Sequence, residues 1–438
     1  MMVRSFTARG VTLIELMVAM VLGLLVAAGI VTVFLSTSSS NRAQNQLAQL
    51  QEDGRFAITR ITQDLRHANG LYCSNTGGVA SSGGSGLYMD GLRAPKIYAV
   101  NLLGALSDVT TQWGANGYPA QPTAPYYLPA FLSMRGYGCG KSTCTPDLPS
   151  SVAPAMGKAV GARVVGASVV TMRYLDSSRG WAIGAGNTSV MADSKGAVTS
   201  VAIKPASGEP AISEFGANDL AMLADCSNAQ VFAVDVSGGG LLTPRIAANF
   251  ADTTPTSQQP QSALKLFDFN TDLLTVSYFL QVVDNGDGQT TGALMRRQNG
   301  QTQELVRGVE RLDFLYGVED NNGNTQFLTA SQVDNRMGNA IGCPTSVLAA
   351  DGSVSVNPAG CLWRAVKSID VRLLMSGQAQ LPTLTSTDTS YLYTADGNTA
   401  PLPLTDAGHA IKPNDQGFAA GTIRREFNAL VSLRNYNP

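Results

Sequence analysis

The run 16–35 carries no charge and is almost wholly apolar. About 20 such residues suffice to cross the hydrocarbon core of a bilayer as a helix. One carboxylate, Glu15, stands at its edge, and the short polar stretch before it holds Arg4 and Arg9. Residues 36–41 are polar but contain no Pro or Gly. Leu47, Leu50, Ile58, Ile61, Leu65 and Ala68 then recur mostly at steps of three and four, the period of an amphipathic helix. Asn69-Gly70 supplies a C-cap pair. The pattern predicts one helix over about 11–68, roughly 85 Å long at 1.5 Å per residue. Its first half (11–35) suits lipid or other apolar helices. Its second half (36–69) suits the face of a globular domain.

Three ordinary readings compete for the N-terminus. A cleaved secretory signal would use Arg4 and Arg9 as its basic region and Ala27-Ala28-Gly29 as its cleavage site, but an ordinary signal core is only about 7–15 residues. A plain membrane anchor fits by length, with Arg4 and Arg9 kept on the cytoplasmic side. Thr12-x-x-Glu15 also has the form of a capping box, in which Glu15 reaches back to free amides at the helix start. A fourth reading covers more of the residues. Gly10-Val11-Thr12-Leu13-Ile14-Glu15-Leu16 behind a basic leader resembles the type III signal of type IV prepilins. That resemblance implies a leader at 1–10, cleavage after Gly10 by prepilin peptidase, and methylation of the new terminus at Val11. It also implies retention of Glu15 for assembly. Val11 stands where the family usually has Phe, and the helix-breaking Pro of many major pilins is missing from the run. A carboxylate near the bilayer core costs about 2.5–3.5 kcal/mol on insertion scales. Such a group persists where it has a partner, and the expected partner of Glu15 is the terminal amine of a neighbouring pilin.

The 438 residues are 44% hydrophobic but only 14% charged, with 45 Gly and 20 Pro. This composition suits a β-rich exported domain with long loops, placed at 70–438. A net charge of −2 offers no electrostatic case for nucleic acid. All six cysteines lie beyond the apolar run: Cys73, Cys139, Cys144, Cys226, Cys343 and Cys361. An even count on the exported side points to disulfides. Six cysteines allow 15 connectivities; the expected set is Cys139–Cys144 and Cys343–Cys361 as short loops, with Cys73–Cys226 tying the helix end to the sheet. With no C-x-x-C and only two histidines, His67 and His409, no metal or cofactor is expected.

Strand patterns appear at 162–175, 198–203, 230–236, 273–283 with a return at 293–297, 312–316, 363–375 and 425–434. In the last, Phe427, Ala429, Val431 and Leu433 point inward. Residues 304–311 have mixed periodicity and read as a short helical turn. The region 87–161 reads as irregular, a candidate insertion, and 376–421 reads as a long polar loop. Residues 136–143 are similar to a phosphate-binding loop, but the first glycine that motif requires is replaced by Arg135, and a disulfide-tied loop is the better reading. The segments 284–287 and 320–324 look a little like calcium loops but lack the full ligand spacing, so β-turns are expected.

The resemblance extends past the leader. Residues 51–57 and 64–68 of the helix, and the blocks 304–318, 366–374 and 424–434, look like the PilW family of type IV pilus minor pilins. That family is related to the minor pseudopilin J of type II secretion. The resemblance implies an α+β, pilin-like fold: a long N-terminal helix packed on a β-rich domain. It implies a non-enzymatic role in priming pilus assembly and in the tip complex. The implied partners are other minor pilins, the major pilin, prepilin peptidase and the inner-membrane assembly platform, with lipid before assembly. The implied location is the inner membrane, N-terminus cytoplasmic and domain periplasmic, and later the pilus tip. Two alternatives remain open on sequence: a pseudopilin of a secretion or DNA-uptake system, and an adhesin whose loops at 113–138 carry a ligand.

Overall fold

A computed structural model describes residues 10–70, 81–83, 86–88, 95–106, 114, 120–184, 186–212, 215–216, 219–224, 229–250, 264–286, 288–319, 324–342 and 360–433. One helix, Leu13–His67, runs for 55 residues, about 82 Å at the standard rise. Its C-cap is Ala68, after which Asn69 takes a left-handed φ of 60° and its N–H donates to the Arg173 carbonyl at 3.0 Å. Leu50, Gly54, Ala57, Ile61, Asp64, Leu65 and Ala68 form the buried stripe. Burying each Leu or Ile side chain stabilises the docked state by about 1.5–3 kcal/mol.

Among the described residues the strands pair antiparallel, apart from Ala229–Ser237 with Lys96–Ile97, which run parallel. A six-stranded sheet runs in the order Gln301–Arg307, Thr290–Gln298, Leu273–Asp284, Val169–Leu175, Met134–Cys139, Cys144–Thr145. A four-stranded sheet follows the order Thr325–Leu328, Val309–Glu319, Val366–Ser376, Arg424–Ser432. The long helix lies against Arg424–Ser432, Val366–Ser376 and Gln301–Arg307. The chain leaves the six-stranded sheet at Leu175 and returns at Leu273, and these two residues are register partners. Between them it builds most of a nine-stranded sheet. Leu220, Met222 and Ala224 point from that sheet into the main core, whereas Ala221 and Leu223 point into a second core with Trp181, Phe232 and Leu266. Alternate residues of one short strand thus serve two cores, as the twofold period of a strand requires.

One sequence expectation is corrected, and two further segments find their places. Residues 304–311 form no helical turn: Gln301–Arg307 is an edge strand paired with Thr290–Gln298, and Val309–Glu319 begins directly after it. Cross-strand pairing decides this, because the exposed residues Gln301, Thr302, Gln303 and Glu304 carry no apolar alternation. The region 87–161 is not detached from the main body. Its Met134–Cys139 strand pairs with Val169–Leu175, and Phe131, Leu132 and Met134 lie in the main core. The polar segment 376–421 holds only one-turn helices and packs on the four-stranded sheet. Tyr391 and Tyr393 are buried against Leu374, and Arg311 meets Asp396 at 3.2 Å while the Tyr393 hydroxyl donates to Asp313 at 2.8 Å.

Candidate functional site

The helix start is locally encoded. Thr12 is the N-cap, and its hydroxyl accepts from the Glu15 N–H at 3.3 Å. The Glu15 carboxylate accepts in return from the Thr12 N–H and hydroxyl, both at 3.0 Å. Gly10 and Val11 precede this capping box in the open. From Val11 to Leu35 every large apolar side chain is more than half exposed, so the domain covers none of them. Exposed apolar surface on this scale is stable only in lipid or against other apolar helices.

The lower half of the helix is pinned by a buried polar cluster. Asp64 faces three adjacent strands of the six-stranded sheet. Arg296 donates to it through Nε at 2.6 Å and Nη2 at 3.4 Å, Tyr278 through its hydroxyl at 2.6 Å, and Tyr174 at 3.1 Å. Tyr278 and Arg296 are direct cross-strand partners, which brings both donors to one carboxylate. Burial pushes the Asp64 carboxyl up, but the hydrogen bonds from Arg296 and Tyr278, with the Arg296 and Arg60 charges, outweigh it and leave the group below its ordinary value. The Tyr174 hydroxyl is pushed up to about 12 by burial and by the Asp64 charge. A second seat lies ten residues earlier on the same helix. A Cβ at Gly54 would overlap the Phe427 ring, so only glycine lets the helix approach the Arg424–Ser432 strand this closely.

The structure distributes the remaining predicted residues as follows. Cys139 and Cys144 form a disulfide across a hairpin. Cys361 is disulfide-bonded to a partner outside the described residues. Cys73, Cys226 and Cys343 lie outside the described residues, as does most of the 320–324 segment. At 284–287, Asp284 accepts from the Gly286 N–H at 2.8 Å as in a turn. Among the described residues no group of three acidic, His or Cys side chains is arranged to hold a metal ion. The loop similar to a phosphate-binding loop has another explanation. Arg135 is buried and pairs with Asp334 at 3.0 Å, and a Cβ at Gly136 would collide with the Tyr316 hydroxyl.

Asp64, Tyr278, Arg296 and the Gly54–Phe427 contact escaped sequence reasoning as site residues. One signal was present: Asp64 lies in phase with Ala57, Ile61 and Ala68, and an acid in an apolar stripe requires a partner.

Residues 6–31 match the prokaryotic N-terminal methylation motif, and residues 277–435 match the model of type IV pilus-assembly protein W. A region similar to type IV pilus-assembly protein W thus follows an N-terminal methylation motif, the arrangement of a type IV pilin. No curated protein and no solved structure matches it. The two matched regions coincide with the two halves of the site. The motif covers the uncovered apolar helix, and the PilW match covers Tyr278, Arg296, Phe427 and the rest of the four-stranded sheet. Most of the nine-stranded lobe lies outside both. The chain is therefore a membrane-anchored type IV pilin in which the PilW part supplies most of the helix seat.

Proposed function

We infer that this chain is a PilW-type minor pilin that primes type IV pilus assembly and resides in the pilus tip complex, a structural rather than catalytic role. The observation that carries this reading is the division of one helix into two parts. An uncovered apolar half is headed by the Thr12–Glu15 box, and a second half is seated on family-matched strands. The precursor sits in the inner membrane, N-terminus in the cytoplasm and domain in the periplasm. Prepilin peptidase cuts after Gly10, and the amine of Val11 is methylated. The apolar half then exchanges lipid for a bundle of pilin helices, where van der Waals fit replaces lipid contact.

Glu15 acts at that exchange. In the single chain its carboxylate is held by Thr12. In the bundle it turns to the Val11-type amine of an adjacent subunit, a charge pair that sets axial register. Other minor pilins and the major pilin are the neighbours, and the inner-membrane platform performs the extraction.

Mass spectrometry of the N-terminus, with and without a prepilin peptidase, tests the reading. Methylated Val11 appearing only with the peptidase is expected. An intact leader, or a cut near Ala28, would overturn it. Incorporation of Glu15→Val into pili as efficiently as wild type would overturn the charge pair alone.

A further inference from the structure

The apolar half of the helix ends at Leu35, and the first helical residue buried against the domain is Leu50, about 22 Å further on at the standard rise. The segment after Val366–Ser376 bridges this interval. The Ala379 N–H donates to Gln46 Oε1 at 3.2 Å, and lower down the Thr383 and Ser39 hydroxyls share a hydrogen bond of 2.7 Å. The segment thus descends along the helix toward the end of the apolar run. Between the two opens a cleft of about 860 Å³, lined among others by Ser36, Ser39, Thr383, Ser386, Asp388 and Arg425.

The level of this cleft follows from the helix. With 16–35 in the hydrocarbon, residues 36–40 lie about 1.5–8 Å beyond its edge. The headgroup layer is about 5–8 Å deep on each side of a bilayer, and a helix tilt of about 20° shortens the rise by less than a tenth. The helical wall of the cleft therefore stands among the headgroups.

The lining chemistry narrows the occupant. Serine and threonine hydroxyls donate to phosphate oxygens, and a guanidinium does so with charge. Arg425 is exposed and anchored by donation from Nη1 to the Arg424 carbonyl at 2.9 Å. Asp388 is exposed on a one-turn helix, where its Oδ2 accepts from the Thr385 N–H and hydroxyl at 2.9 and 2.7 Å. One cation and one carboxylate among hydroxyls complement a zwitterion that carries both a phosphate and an N–H-bearing ammonium. A purely anionic headgroup leaves Asp388 unmatched, and a trimethylammonium has no N–H to offer it.

We propose that this cleft binds the headgroup of an ethanolamine glycerophospholipid in the leaflet facing the domain. Arg425 and the hydroxyls take the phosphate, and Asp388 takes the ammonium. The lipid steadies the descending segment against the helix until the subunit leaves the bilayer. This rests on the membrane-anchored state of the precursor.

The test uses the full chain reconstituted in phosphatidylcholine vesicles doped with phosphatidylethanolamine that bears a photoreactive carbon beside the glycerol. Adducts are mapped by mass spectrometry. Adducts at 36–43 and 383–390 are expected in the wild type. Loss of a charge-assisted hydrogen bond lowers them about tenfold in Arg425→Gln and in Asp388→Asn, with recovery in Arg425→Lys. The same photoreactive carbon on phosphatidylcholine gives the weaker signal throughout. Equal labelling in wild type and both variants, or by both lipids, overturns the proposal. Suppression by soluble phosphoethanolamine would assign the cleft to a free phosphate ester and overturn the lipid as its source. Adducts within 16–35 report insertion independently. Their absence would overturn the spanning state and the proposal with it, whereas their presence without cleft adducts would overturn the proposal alone.

Discussion

Glu310 and Arg424 meet as a two-point ion pair, Nε to Oε2 at 2.8 Å and Nη2 to Oε1 at 3.0 Å, although the Val366–Ser376 strand lies between their own strands. Both are almost fully buried. Glu310 falls where the register shifts between Val309↔Met375 and Arg311↔Leu374, and such a bulge re-aims a side chain. Arg424 spends its other donors on the carbonyls of Ala419, Ala420 and Thr422, and Gln416 caps the Glu310 carbonyl at 2.6 Å. One pair thereby joins the four-stranded sheet to the end of the 376–421 segment.

Removing one partner of such a pair leaves a buried charge without compensation, a loss of about 3–5 kcal/mol. Glu310→Gln and Arg424→Met are each expected to lower the unfolding free energy of the detergent-solubilised chain by that amount, read from urea midpoint and slope. The double variant Glu310→Leu/Arg424→Met is expected to lose less than either single change. Additive losses in the cycle would show that the two side chains do not act as a pair.

Asp64 gives a pH signature. Its folded value lies below the ordinary carboxylate value, so the unfolded chain takes up the proton first on acidification. The stability it supplies is complete above the unfolded value of about 4 and is lost as pH falls through the lower folded value. Asp64→Asn is expected to remove this part of the acid sensitivity and, at neutral pH, to cost about 3 kcal/mol by stranding Arg296. An unchanged acid profile in the variant would rule out Asp64 as its source.

Gly54 poses a contest between two effects. Alanine gains about 1 kcal/mol of helix propensity over glycine, but its Cβ overlaps the Phe427 ring, and overpacking costs typically about 1–3 kcal/mol. Gly54→Ala is expected to destabilise docking, and Gly54→Val to do so more strongly. Phe427→Leu combined with Gly54→Ala is expected to recover much of the loss. Thermal melts of the three variants settle the sign.

How much of this was legible depended on the range of the interaction that decides each element. The Thr12–Glu15 box is a contact between residues three apart, so the sequence displays it whole. The strands Val366–Ser376 and Arg424–Ser432 turn alternate residues to the core, and that period shows; Leu273–Asp284 is buried on both faces, but its length and its β-branched and aromatic residues before a turn reveal it. Leu220–Ala224 is buried on both faces, and a uniformly apolar run has no period to read. Gln301–Arg307 is an edge strand with most side chains in solvent, so only its partner strand reveals it. The polar segment 376–421 conceals Tyr391, which stacks on His409, and Tyr393, whose partners Arg311 and Asp313 wait on a strand some eighty residues earlier. Asp64 was visible as an acid in an apolar stripe, but its partners lie on strands more than a hundred residues away.

Asp268 behaves in the opposite sense to Asp64. It stands where the nine-stranded lobe rejoins the six-stranded sheet, accepts from the Asn270 N–H at 2.9 Å, and is almost wholly buried. Burial, reinforced by the Asp219 charge and more weakly by Asp272, pushes its carboxyl up to about 7. A group raised in the folded state contributes stability that is full below its unfolded value and fades as pH rises through the folded one. The chain is therefore expected to be more stable at pH 5 than at pH 8 through this residue, against the trend set by Asp64 at lower pH. Asp268→Asn keeps an oxygen to cap Asn270 and carries no charge. It is expected to raise the urea midpoint most at pH 8, by clearly less at pH 5, and to flatten the profile between. A variant as sensitive as wild type across that interval would place the titration elsewhere.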